Sequence, residues 1–253
     1  MRVRHQASLY VLSLLVGLTL WELYARALPG IVLAPPSSVV VRMVHGLLSG
    51  ELSLALLASL GALVLGYALA VLVGVPLGFL IGRSKRASEM VEPVMNAIYA
   101  VPPVAFVPFI IIWFGLFFEA RVTLVFLMAI FEIVVTVSAG AGSLDPGLID
   151  VGRSFGARRR KMLRSVVLPA ALPFVFAALR LGLVRAINGM ITAELFFAAV
   201  NLGKVMKDAA SRFDTAGLLA VILLLCILGL LAQEGLKALE ARLMPWHIRA
   251  TQS

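Results

Sequence analysis

Four ionisable side chains, Glu132, Arg180, Arg185 and Glu194, fall inside long apolar stretches of this sequence. A charge in hydrocarbon is costly, so such residues are by default candidates for contacting a passing solute, with mutual ion pairing as the competing account. Arg185, Asn188 and Thr192 stand at i, i+3 and i+7 and share one helix face, while Arg180 and Glu194 lie roughly opposite. A guanidinium flanked by an amide and a hydroxyl can hold an anion by charge-assisted hydrogen bonds. Glu22 and Arg26, at i and i+4, are expected to form an intrahelical pair and no more.

Other chemistries lack their residues. His5, His45 and His247 have no spacing that brings two onto one helix face, so a metal site is not expected, and the lone cysteine, Cys226, cannot build a disulfide framework. Gly203-Lys204 is followed by Val205 and has Ala198 where a phosphate-binding loop places its first glycine, so ATP is not expected to bind by that route. An intramembrane enzyme needs a convergent catalytic set, and the scattered histidines do not supply one.

The elements that must position these residues follow from composition. Of 253 residues 61% are hydrophobic and 14% charged, against about 25% charged in soluble domains, and the mean hydropathy is +1.03. Lipid can solvate that much apolar surface, and helices satisfy their own backbone, so an all-α, polytopic membrane fold is expected. Six windows of about 20 apolar residues occur at 9–28, 57–81, 94–113, 122–141, 171–197 and 216–233. The first is too long for a cleaved signal, carries Glu22 and Arg26, and lacks a small-residue cleavage site, so it reads as a retained helix.

With the amino terminus placed inside, the inner tails and loops hold 14 Lys and Arg and the outer loops 6. The net charge of +9 is thus a topology signal more than a nucleic-acid one, and both termini are expected to be cytoplasmic. Ala34-Pro35-Pro36-Ser37-Ser38 reads as a stop followed by a helix cap. Residues 39–48 then form a helix too short to span, either interfacial on the outer face or partly buried in a loop, with Gly50 as its terminator.

Residues Ala58, Ala62, Gly66, Ala70, Gly74, Gly78 and Gly82 recur every four positions. Such a small-residue stripe lets a neighbouring helix approach closely, as static packing or as a seam that moves. Pro102-Pro103 and Pro108 remove backbone donors within the third window and predict a bent or broken helix, either a packing kink or a lining of a pathway.

The stretch 142–170 interrupts the membrane pattern. Asp145 can cap a short helix with Pro146 at its first position, and Gly156 suits a turn into a second helix. Leu148, Ile149 and Phe155 are its candidate apolar contacts in a basic surround. Two accounts fit this segment: a docking device for a soluble partner, or a topogenic loop beside anionic headgroups.

Asp150-Val151-Gly152, then Gly156-Ala157, then Leu168-Pro169 resemble the cytoplasmic "EAA" loop of permeases from importers of the ATP-binding-cassette (ABC) class. That loop reads Glu-Ala-Ala, a glycine four residues on, and a later Leu-Pro. Here Asp replaces Glu and Val-Gly replaces Ala-Ala, so the acid and a small third residue remain. Leu33-Ala34-Pro35-Pro36-Ser37, Val101-Pro102-Pro103, Trp113-Phe114-Gly115, Ala193-Glu194-Leu195 and Arg242-Leu243-Met244-Pro245-Trp246-His247 extend the likeness across nearly the whole chain, toward the nitrate/sulfonate/taurine branch.

The resemblance implies one transmembrane permease domain over 1–253, a six-helix bundle of the type I importer kind in a bacterial inner membrane, with a coupling helix in 142–170. It implies a homodimer or a pairing with a related permease, ATPase subunits that hold ATP and Mg, and a solute-binding protein outside. Cofactors in this chain itself are not implied. The coupling residues carried over are Leu148, Ile149, Asp150, Gly152, Phe155, Gly156, Ala157, Leu168 and Pro169. The implied solute is a small organic anion such as a sulfonate or taurine, or nitrate, which puts Arg185, Asn188 and Thr192 on the pathway with Glu132. Glu194 is then expected near an outer gate and Trp113 at the outer mouth. The alternative is an ion-coupled secondary transporter or channel, which should show internal repeats; none is found in the sequence.

Overall fold

Continuous apolar sequence with few breakers folds as long helices, and a computed structural model gives the outcome for residues 2–30, 32–197 and 200–244. The elements are α1 (Arg2–Ala27), α2 (Pro36–Leu48), α3 (Glu51–Gly82), α4 (Lys85–Ala100), a 3₁₀ turn (Pro103–Phe106), α5 (Val107–Phe114), α6 (Phe118–Gly142), α7 (Pro146–Ser154), α8 (Arg159–Met162), a π-helical segment (Leu163–Val167), α9 (Leu168–Phe196), α10 (Asn201–Ser211) and α11 (Thr215–Leu243). The protein is all-helical among the described residues. Pro245, Trp246 and His247 lie outside them.

Five helical runs are long and apolar enough to cross a membrane, within α1, α3, α6, the run Arg160–Phe196 and α11. The third window, 94–113, does not form one span. α4 ends at Ala100, Val101 is extended (φ −84°, ψ 123°) as the residue before a proline must be, and the chain restarts as the 3₁₀ turn and α5. The double proline removes two successive donors, which breaks the helix where a single proline would have kinked it.

By internal contacts the chain divides into two units, Met1–Ser59 with Ala198–Leu228, and Leu60–Phe197 with Gly229–Ser253. In the first, Ala34 and Val39 pack on Ala220 with Met43, Leu219 and Leu223 around them. α2 starts at Pro36 with Pro35 as its cap, so Ser37 and Ser38 lie inside the helix and do not cap it. The orphan N–H of Ser37 donates instead to Glu22 Oε2 at 3.0 Å, and its hydroxyl to Glu22 Oε1 at 2.7 Å. Glu22 therefore binds the start of α2 as well as Arg26, which lies 2.7 Å away. Gly50, at φ +85°, ends this turn as its sequence suggests.

Arg42 clips three elements of the same unit. Its Nη1 reaches Glu51 Oε2 at 3.0 Å and its Nε reaches Asp214 Oδ2 at 3.3 Å. Asp214 meanwhile accepts the Gly217 N–H at 2.8 Å, at the start of α11. The hydrogen bond to Glu51, then that to Asp214, outweigh partial burial and raise the Arg42 guanidinium above its ordinary value.

In the second unit α6 is the buried centre, with Leu124, Val125, Ala129, Ile133 and Val137 almost wholly enclosed. The stripe on α3 faces it. A Cβ on Gly66 would stand 2.7 Å from Val125 Cβ and 2.8 Å from the Val122 carbonyl oxygen, and one on Gly78 would stand 2.7 Å from Val137 Cβ. Gly74 meets Ile133 and Gly82 meets the Ser138 backbone in the same way. On the opposite side α9 brings Gly189 to Val125 and Gly182 to Ile133. Each of these two β-branched residues thus sits between two glycines, one from α3 and one from α9. In lipid, where burying Leu against Leu gains nothing over lipid tails, such close approach supplies the packing energy.

Polar contacts tie the remaining helices of this unit. Tyr67 donates to the Leu179 carbonyl at 2.8 Å. Arg180 pairs closely with Glu240 of α11, and Gln233 donates to the Arg180 carbonyl at 3.2 Å.

Candidate functional site

The loop between α6 and α9 is built as a helix with both ends specified. Asp145 Oδ1 accepts the Gly147 N–H at 2.8 Å, and Pro146 occupies the first helical position, where no donor is needed. At the other end Gly156 takes φ +69°. Its N–H donates to the Arg153 carbonyl at 2.8 Å, and the Ala157 N–H donates to the Gly152 carbonyl at 3.1 Å. That pair of bonds is a Schellman cap, which requires a left-handed residue and is the reason for glycine at 156.

Gly152 turns inward. A Cβ there would come within 2.9 Å of Met162 Cε and 3.3 Å of Val166 Cγ2, so the small third residue of the triplet lets α7 lie against α8 and the π segment. The outward face carries Leu148, Val151 and Phe155, exposed by 50%, 56% and 85%, so it is an apolar strip left open by the described residues. Ile149 is half-buried and does not belong to that strip. Val151 does, and its spacing of three from Leu148 and four from Phe155 was the signal for it. Asp150 and Arg153 pair at 3.3 Å on the surface, a contact of little energetic weight at this exposure.

Leu168-Pro169 begins α9. Pro169 has no N–H and its ring crowds the carbonyl four residues back, and the preceding residues widen into a π turn in which the Leu168 N–H donates to the Leu163 carbonyl. The motif residues thus form one connected piece, α7, its cap, and the widened turn into the α9 span.

A second feature lies in the middle of the long helices. Glu132 of α6 and Arg185 of α9 are joined by a 3.0 Å hydrogen bond from Nε to Oε2, with the carboxylate 14% and the guanidinium 51% exposed. They line a cavity of about 200 Å³ together with Asn188, Met128, Phe131 and the broken segment at Val101, Pro103 and Phe106. The helix break at the double proline thus contributes Val101 and Pro103 to the lining of this cavity.

The other candidate residues do not line this cavity. Thr192 spends its hydroxyl on the Asn188 carbonyl, 2.8 Å away in its own helix, and does not line the cavity. Glu194 is fully buried at the end of α9. Trp113 is 69% exposed and packs against Phe109 in a tilted arrangement, with ring centroids 4.7 Å apart and planes inclined by 41°. Arg180 is taken up by Glu240.

Residues 74–245 match the family model described as "Binding-protein-dependent transport system inner membrane component". The taurine transport system permease protein TauC of Escherichia coli is 32% identical over 249 residues, covering 96% of this chain and 90% of that protein. The putative aliphatic sulfonates transport permease protein SsuC of Bacillus subtilis is 31% identical, covering 85% of this chain and 78% of that protein. Among solved structures, an inward-facing MetNI methionine ABC transporter chain superposes with a TM-score of 0.67 over 77% of this chain and 97% of its own, at 20% identity, a likeness of fold alone. The chain is thus a multi-pass membrane protein of the binding-protein-dependent transport system inner membrane component family, the permease subunit of an ABC importer.

Proposed function

We propose that this permease takes up its solute by alternating access, driven through α7. The exposed strip of Leu148, Val151 and Phe155, held rigidly by the Asp145 and Gly156 caps, is the observation that carries this reading. It docks in a groove on a cytoplasmic ATPase that binds ATP and Mg, so the chain itself hydrolyses nothing. Movement of α7 passes into α9 through the π turn at Leu163–Val167, and α9 carries Arg185 and Asn188 at the cavity. Nucleotide and a solute-loaded binding protein each stabilise one of two arrangements, and together they drive the cycle. The working unit is two permease chains, two ATPases and a binding protein on the outer side, with both termini of the permease cytoplasmic.

The solute of this system is a small organic acid, of the kind for which the taurine and sulfonate relatives are named. Cys226 is the single cysteine, so cross-linking tests the docking surface directly. In a Cys226→Ser background, Phe155→Cys is expected to cross-link to cysteines placed along the groove of the ATPase, with a yield that changes when ATP is added. Cross-linking indifferent to position along the ATPase surface would contradict the assignment.

A further inference from the structure

Six basic residues and no acidic one lie from Arg153 to Arg164. Arg153 pairs with Asp150. The side chains of Arg158, Arg160, Lys161 and Arg164 are exposed, and none makes a hydrogen bond or ion pair with a described residue. We propose that α8 and the π turn form a binding surface for anionic phospholipid, on which Arg160, Lys161 and Arg164 hold headgroup phosphates of the cytoplasmic leaflet. This gives a second partner to the loop that the reading above assigns to the ATPase, and it rests on that reading only for the side of the membrane the loop faces.

Helix geometry separates the two surfaces. Met162 and Val166 lie against Gly152 of α7. Arg160 and Arg164 each stand two positions from Met162, about 200° round a helix, so they point away from α7 and its apolar strip. Length then sets their depth. The run Arg160–Phe196 has 37 residues, about 55 Å of helix, against about 30 Å of hydrocarbon and about 40–45 Å with both headgroup layers. A helix that overshoots the hydrocarbon in this way places its first turns among headgroups, and here those turns carry the cations. Leu163 and Leu168, exposed by 48% and 38%, are interleaved with them. Basic heads beside uncovered aliphatic side chains suit the boundary between phosphate and acyl chain, where the stems of Lys and Arg lie along apolar surface and their charges reach outward. An acidic protein surface matches the cations alone. Attraction to an anionic leaflet adds up along such a cluster, residue by residue.

The test uses the permease with its ATPase in lipid nanodiscs made of equal parts phosphatidylglycerol and phosphatidylcholine. Native mass spectrometry of the released complex counts the lipids it keeps, and phosphatidylglycerol with a photoreactive headgroup maps where they sit. The wild type is expected to keep phosphatidylglycerol over phosphatidylcholine by roughly tenfold or more, with label concentrated at residues 158–168. Arg160→Gln/Lys161→Gln/Arg164→Gln should lower that preference several-fold. Lys204→Gln/Lys207→Gln/Arg212→Gln, which removes the same charge from exposed positions on and just after α10, should stay within about twofold of the wild type. An undiminished preference in the α8 variant, an equal loss in both variants, or label no denser at 158–168 than at other exposed basic segments overturns the proposal. If the α8 variant does not fold, the position of the wild-type label decides. Loss of the ATPase from that variant with phosphatidylglycerol undiminished gives the cations to the ATPase and likewise overturns it. Absence of the ATPase from the wild type removes the coupling account, while the lipid count and the label still judge the surface.

Discussion

Gly152 lies directly against Met162, so closely that a Cβ on the glycine would stand 2.9 Å from the methionine Cε. The contact is with the flexible end of a side chain, which can swing away, so an alanine fits where a branched or long residue does not. Gly152→Ala is expected to preserve ATPase coupling and to gain a few tenths of a kcal/mol in helix propensity, part of the roughly 1 kcal/mol that separates the two residues in a helix interior. Gly152→Leu should lift α7 from the π segment and uncouple hydrolysis from solute. ATPase rates with and without loaded binding protein measure both outcomes.

Phe155 is 85% exposed, so Phe155→Asp should leave the unfolding midpoint of the isolated permease nearly unchanged, within about 0.5 kcal/mol. Its effect should appear on assembly, as loss of ATPase retention on a tagged permease. A variant that destabilised the permease yet still held the ATPase would show that Phe155 packs inside the chain.

The glycines of α3 make the opposite prediction. Gly66→Val must displace the Val122 carbonyl as well as the Val125 side chain, at a cost of about 1–3 kcal/mol from overpacking. Val125→Ala in the same chain should recover part of the loss, because it clears one of the two obstructions. Denaturant titration in detergent, with the single and double variants compared as a cycle, reads the coupling.

Arg42→Met should lower stability by about 1 kcal/mol or less for each of its two ion pairs, which are partly exposed, and the difference from wild type should shrink as salt is added. The pH dependence follows from the raised Arg42 pKa. A base whose folded value exceeds its unfolded one contributes fully below the unfolded value and loses that contribution only as pH rises through the folded one. For arginine that window is strongly alkaline, so moderate alkalinity should leave the Arg42 contribution intact while salt reduces it.

The parts of this protein legible in its sequence are those set by local rules. The Asp145-Pro146 start and the Gly156 stop of α7 could be read because caps depend on residues a few positions apart, and the four-residue stripe on α3 because it lies on one helix. Its complement could not. Gly182 and Gly189 on α9 are seven apart, and nothing local says that they meet Ile133 and Val125 from the far side. Likewise Glu132 and Arg185 stood out as intramembrane charges, but their pairing joins residues 53 apart and depends on how α6 and α9 pack. Thr192 shared a helix face with Arg185 by periodicity, yet its hydroxyl turns to its own backbone, a competition that face assignment ignores. The third window read as a span because hydropathy does not register the lost donors of Pro102 and Pro103.

Recovery of the partner ATPase with the detergent-purified permease, compared between wild type, Gly156→Pro and Gly156→Asn, tests the coupling account most directly. Proline cannot adopt φ +69° and lacks the N–H that donates to Arg153, whereas asparagine tolerates the left-handed cap and keeps that donor. The account predicts retention by wild type and Gly156→Asn and loss with Gly156→Pro, in chains that unfold at similar temperatures. Undiminished retention by folded Gly156→Pro would contradict it, since the ATPase would then be held without the capped α7.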